Sequence, residues 1–136
     1  MSNLEQTLSI IKPDAVERDL IEEIKSEFKK NNFVIFKEKK IKLEKQEAEK
    51  FYQVHQSKPF YNDLCAYLSS GPIVVMILEK ENAVLENRKL MGATDPTKAE
   101  DGTLRKKYGI SIDKNSVHGS DSVENAKIEI DFFFKN

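Results

Sequence analysis

Gly71-Pro72-Ile73-Val74-Val75-Met76-Ile77-Leu78 is the stretch from which the fold can be read. Six apolar residues follow a Gly-Pro break, which suits a strand buried on both faces near the middle of a sheet. Upstream, Thr7-Leu8-Ser9-Ile10-Ile11 reads as a first strand ended by Pro13, and Ile21, Ile24 and Phe28 keep helical spacing within Leu20 to Asn31. Phe33 to Leu43 reads as a long second strand whose polar middle, Lys37 to Lys40, meets solvent or an edge. Ala48, Phe51, Tyr52 and His55 mark a helix stopped by Ser57-Lys58-Pro59, and Phe60, Leu64 and Leu68 stripe the next. Downstream, Asn82 to Met91 is helical, while Gly92 to Lys114 is irregular apart from a short helix over Thr103 to Tyr108. A strand bearing His118 follows. Asp121, with Glu124 three residues on, has capping-box spacing and starts a last helix that runs to about Phe133.

This order is βαββαβ with inserted helices, the ferredoxin-like α/β (α+β) arrangement of a four-stranded antiparallel sheet covered by helices. At 136 residues the chain is expected to form one domain over 1–136. Its hydrophobic fraction of 39% and charged fraction of 33% describe a globular protein with a heavily charged surface. The fold itself hosts enzymes, RNA binders and small-molecule sensors. A net charge of -1 gives no bulk attraction to nucleic acid or membrane. The single cysteine, Cys65, excludes an intramolecular disulfide and a Cys-based zinc site, and suits a reducing compartment. Met1-Ser-Asn-Leu-Glu-Gln6 lacks the pattern of a signal peptide, and Ile73 to Leu78 is too short to cross a bilayer.

No Gly-rich phosphate loop of the G-x-x-x-x-G-K-[ST] or G-x-G-x-x-G kind is present, and no protein-kinase signature set. A phosphate site would have to be built from side chains. Lys12, Arg88 and Arg105 each stand beside a backbone break, yet each alone reads as a solvated cation. The densest chemistry lies in Asn115-Ser116-Val117-His118-Gly119-Ser120-Asp121-Ser122. A neutral imidazole is a nucleophile near neutral pH. Gly119 is expected to leave space beside the ring for a backbone or a bulky anion. Ser120, Asp121 and Ser122 supply oxygens to orient the ring or cap a helix.

That octet resembles the active-site signature of the nucleoside diphosphate kinases. The likeness runs in order from about Thr7 to Phe134. It includes Thr7-Leu-Ser-Ile-Ile-Lys-Pro-Asp-Ala-Val16, Phe51-Tyr52 with His55, Pro59-Phe60 with Leu64, and Ser70-Gly71-Pro72. It continues through Glu81-Asn82-Ala83-Val84, Asn87-Arg88, Leu90-Met91-Gly92-Ala93-Thr94 and Gly102-Thr103-Leu104-Arg105.

The resemblance implies a ping-pong kinase in which His118 takes the γ-phosphoryl group of a nucleoside triphosphate on Nδ1 and passes it to a diphosphate. Glu129, with Ser120, would orient the ring. Lys12, Arg88, Thr94 and Arg105 match phosphate-contacting positions, the residue set that phosphoryl transfer needs. Tyr52 would point its hydroxyl at the transferred phosphate, and Asn115 with Lys12 would hold the ribose. Phe60, Leu64 and Ile112 would clamp the base without reading its identity, which implies broad specificity. His55 matches a position near the phosphates. Mg2+ is implied, held chiefly by nucleotide phosphates and water with no dedicated protein metal site.

The implied partners are nucleoside di- and triphosphates and further copies of the chain, as a tetramer or hexamer built from dimers. A cytoplasmic location is expected, with neither membrane nor nucleic acid required. Three positions depart from the family pattern. Glu22 stands where most members have glycine, Asp95 where Asn is usual, and Asp101 where many carry Pro or Ala. The two aspartates are expected to weaken phosphate binding or loosen their loop. A non-catalytic nucleotide binder of the same fold is one alternative. An RNA-binding module is another, but it needs aromatics on a central strand, and Ile73 to Leu78 has none.

Overall fold

The computed structural model describes residues 4–53, 56–112 and 114–134, so His55 lies outside the described residues. In chain order the elements are β1 (Leu4–Ile11), α1 (Pro13–Glu17), α2 (Ile21–Lys30), β2 (Val34–Ile41), α3 (Lys45–Phe51) and α4 (Tyr61–Leu68). They continue with β3 (Ile73–Glu81), α5 (Ala83–Met91), a 3-10 turn at Pro96–Lys98, α6 (Leu104–Tyr108), β4 (Val117–Gly119) and α7 (Val123–Phe134). The strands form one antiparallel sheet of order β2-β3-β1-β4. The apolar run Ile73 to Leu78 is buried throughout and lies inside that sheet, as its composition requires. β2 lies at an edge with most of its residues exposed, which is where its lysines are tolerated. The ferredoxin-like antiparallel arrangement is thus the fold.

Alternation along the strands divides the core into two clusters. Ile11, Val74, Met76, Leu78 and Val117 meet Ile24, Phe28 and Met91 on one face. Leu8, Ile10, Ile73 and Val75 meet Tyr52, Cys65, Leu68 and Phe133 on the other. Each large side chain so buried contributes about 1.5–3 kcal/mol of transfer free energy.

Several boundaries differ from the sequence pattern for local reasons. β1 starts at Leu4 because its polar beginning still has a partner, with Leu4 opposite Glu81 and Gln6 opposite Glu79. Pro13 does more than end β1. It is the first residue of α1, where a missing N–H costs nothing, and Lys12 becomes the N-cap. α3 stops at Phe51, so Tyr52 caps its end instead of extending its face, and Phe60 precedes α4 as its N-cap. α7 starts at Val123, and its cap is Ser122 rather than Asp121: the Asn125 backbone N–H donates to Ser122 Oγ at 3.0 Å. Asp121 Oδ1 instead accepts from the Asn125 side chain at 2.6 Å.

Gly119 also needs correction. A Cβ there would lie 2.4 Å from Asn87 Nδ2 and 2.7 Å from Met91 Cε. The missing side chain lets α5 press against β4, and no room for an anion is left on that side.

Candidate active site

β4 has only three residues, held to β1 by the pairs Ser9–Gly119, Ile10–His118 and Ile11–Val117. Successive residues point to opposite faces. Val117 and Gly119 therefore turn toward α5, and His118 turns toward α3 and α7, where the Phe51 ring lies 5.3 Å away at 74°.

Just past β4, Ser120 is fully buried and locked to β1. Its N–H donates to the Leu8 carbonyl, and the Leu8 N–H donates to Ser120 Oγ, both at 3.2 Å. With that oxygen accepting from the backbone, its hydrogen is directed at Glu129 Oε1, 2.8 Å away. The same carboxylate oxygen stands 3.0 Å from His118 Nε2. An ionised carboxylate has only acceptors. Nε2 therefore carries the ring proton and Nδ1 keeps its lone pair. α7 brings Glu129 back to the strand, so β1, β4 and α7 together fix the imidazole's tautomer and direction.

The Tyr52 ring packs on Phe51 at 5.0 Å and is buried. Burial, and then the charge of Glu129, push its phenol well above the ordinary value, so it remains a neutral donor. Phe51 itself holds the centre of an aromatic group, with Phe132 at 5.6 Å and Phe133 at 5.2 Å. The sequence gives Phe51 no task beyond membership in a motif. Its signal was adjacency to Tyr52 at the end of a helix.

A second constellation surrounds Lys12. This lysine is 5% exposed, and its Nζ donates to Asn115 Oδ1 at 3.0 Å. Asn115 Nδ2 donates to the Thr94 carbonyl at 3.0 Å. A side-chain amide has a second lone pair and a second hydrogen, so Asn115 can meet a ligand as well as Lys12 and Thr94. Arg105, from α6, donates through one terminal nitrogen to the Gly92 carbonyl at 3.1 Å and through the other to the Val117 carbonyl at 2.9 Å. Its Nε is buried with no protein acceptor among the described residues.

Burial first, and then the charge of Arg88, lower the Arg105 guanidinium to about 10, which leaves it cationic at neutral pH. Arg88, Thr94 and Arg105 line one open cavity of about 330 Å³ with Met91 and Gly92. Lys89 lines it too, and three cations around one cavity favour an anion there.

Not every residue of the proposed set is drawn into these contacts. Phe60 and Ile112 are exposed, at 45% and 56%, while Leu64 packs half-buried against the cluster of Cys65 and Leu68. Asp95 Oδ1 accepts from the Thr97 N–H at 3.0 Å and the Thr97 hydroxyl at 2.8 Å, capping the 3-10 turn. Asp101 is exposed, and Glu22 is an exposed residue 3.8 Å from Lys25. Among the described residues no three His, Cys, Asp or Glu side chains come together as a metal cage. No helix among them is long and apolar enough to cross a membrane.

Known proteins resemble this chain over nearly its whole length. The nucleoside diphosphate kinase family model matches residues 5–136. The nucleoside diphosphate kinase of Campylobacter jejuni is 57% identical over 132 residues, covering 97% of this chain and 96% of that protein. The Nitratiruptor enzyme of the same name is 57% identical over 131 residues, covering 96% of each. The crystal structure of the Aquifex aeolicus nucleoside diphosphate kinase superposes with a TM-score of 0.95 at 37% identity, covering 98% of this chain and 96% of that one. The Encephalitozoon cuniculi enzyme gives 0.94 at 36%, covering 97% and 90%. With the family model, the relatives and the fold all spanning nearly the whole chain, the chain belongs to the nucleoside diphosphate kinase family.

Proposed function

We propose that this chain moves the γ-phosphoryl group of a nucleoside triphosphate to a nucleoside diphosphate by way of a phosphohistidine at His118. The observation that carries this is the imidazole held at Nε2, 3.0 Å from a Glu129 oxygen that also accepts from Ser120, which turns Nδ1 away from that contact. Nδ1 attacks the γ-phosphorus, the bond from that phosphorus to the β,γ-bridging oxygen breaks, and the diphosphate departs with the electron pair. The ring's positive charge is balanced by Glu129 through the Nε2 proton. A second diphosphate then reverses the step.

Lys12, Arg88, Thr94, Arg105 and the Tyr52 hydroxyl hold the phosphates, which is where this reaction gains most of its rate. Asn115 and Lys12 hold the ribose by hydrogen bonds. Phe60, Leu64 and Ile112 face the base with apolar surface only, which supports acceptance of purines and pyrimidines alike.

Magnesium belongs to the substrate in this reading. The side chains assigned to the phosphates are cations and neutral donors, which suit phosphate oxygens rather than a bare Mg2+, and the Glu129 carboxylate is engaged by His118 and Ser120. When bound to the nucleotide, the ion neutralises phosphate charge. We read residues 1–136 as a single cytoplasmic domain that assembles from dimers into a tetramer or hexamer, and acts without membrane or nucleic acid.

The test is to incubate the protein with γ-labelled ATP. Acid-labile, alkali-stable label that moves to added GDP is expected, with none on His118→Ala. An unlabelled native chain, or undiminished label on His118→Ala, overturns the mechanism.

A further inference from the structure

Asp14 is a carboxylate at the centre of four chain segments, and none of the chemistry above uses it. It is 5% exposed in α1, and its Oδ2 accepts from the Arg18 guanidinium at 2.9 Å and from the Ser116 hydroxyl at 2.7 Å. The Tyr67 hydroxyl, from α4, donates to Asp14 Oδ1 and accepts from the Asp14 backbone N–H at 2.9 Å. Burial, and then the Asp14 carboxylate, raise the Tyr67 phenol well above its ordinary value, so it stays a donor. Arg18 also reaches Ser116 Oγ at 3.1 Å and the carbonyl of Tyr108, the last residue of α6. Ser116 Oγ is itself 2.9 Å from that carbonyl.

Ser116 sits in the left-handed region at a φ of 74°, which a serine adopts only when its surroundings hold it there. The Ser116 carbonyl accepts the Lys12 N–H at 2.8 Å, while the neighbouring Asn115 amide accepts from Lys12 Nζ. The strained turn thus grips Lys12 at both its backbone and its side chain, and leads directly into β4.

We propose that Asp14 is a positioning residue: through Ser116 it holds the turn that places the Lys12–Asn115 pair for nucleotide. This rests on the reading of Lys12 and Asn115 as nucleotide-holding groups. Asp14 touches no substrate. It joins α1 to the turn at Ser116 and, through Arg18, to the α6 segment that carries Arg105. Lys12 and Asn115 therefore take their places from one buried carboxylate.

Two variants test this. Asp14→Asn keeps the shape and removes the charge and one acceptor. Ser116→Gly removes the hydroxymethyl side chain and leaves the turn's backbone allowed, because glycine accepts a positive φ without strain. Each is expected to lower kcat/KM for nucleotide exchange by roughly tenfold or more, toward the ~10²-fold that misplacement of about 1 Å can cost. In a Lys12→Ala, Asn115→Ala background the same substitutions should add almost nothing, since the groups they position are gone. Thermal unfolding of each variant reports whether the fold persists. Should Asp14→Asn fail to fold, Ser116→Gly decides alone.

Wild-type kcat/KM in Ser116→Gly overturns the proposal. So does a loss that multiplies undiminished onto the double-alanine background, which is the mark of a merely structural part. Failure of the native chain to form a phosphoenzyme would instead remove the reading of the site on which the proposal rests.

Discussion

Glu129 gives His118 its direction, and one oxygen atom does so, accepting from Nε2 at 3.0 Å and from Ser120 at 2.8 Å. Glu129→Gln keeps the length of the side chain but removes the negative charge that faces the phosphorylated ring. Phosphoenzyme formation, followed by rapid quench, is expected to slow on the order of 10²-fold. Thermal stability should change little, because both groups remain about one-fifth exposed and can find water. A variant labelled at the native rate would show that the ring needs no such partner. His118 draws notice in the sequence through its dense octet, whereas Glu129 is reached only through the resemblance to the family. The reason for glycine at 119 is not legible in the sequence, because the atoms that exclude a side chain there belong to Asn87 and Met91 on a distant helix.

Elements were legible in proportion to their apolar content. β3 declares itself through six consecutive apolar residues, whereas β1 hides its start because Glu5 and Gln6 look like solvent residues until Lys80 and Glu79 are seen opposite them. Caps were misread for a different reason: Asp121 and Ser122 are adjacent and both able to cap, and only the backbone angle decides between them.

The 3-10 turn at Pro96–Lys98 offers a test at this scale. Hydrogen bonds from Thr97 hold the Asp95 carboxyl below its ordinary 3.8. The cap's contribution is therefore fully present above that value and is lost as pH falls through the lower, folded one. The Thr97 amide, followed by NMR, should titrate with a midpoint below 3.8, and a midpoint at or above it would mean that the cap does not form.

At the scale of the whole molecule, the strands and the loops should differ in how readily they open. β1 and β3 share the longest ladder and stand between two apolar clusters, while 92–116 has short helical pieces and many exposed residues. Local opening follows such differences. Hydrogen exchange is expected to be slowest in β1 and β3 and much faster over 92–116, and a bound nucleoside diphosphate should slow the latter selectively. Uniform slowing across the sheet, with no change in 92–116, would contradict the placement of the phosphate cavity.

The three-residue pairing of β4 has a further consequence, which concerns parity. His118 is correctly aimed only while Ile10 lies opposite it. Strand register changes in whole residues, and every single step exchanges the two faces. A slip by one would turn the imidazole toward Met91 and Asn87 and offer Glu129 a residue without a ring nitrogen. The site therefore has no half-correct form. A partly active preparation arising from this strand would be a mixture of competent and silent molecules, not a uniform population of weakened ones.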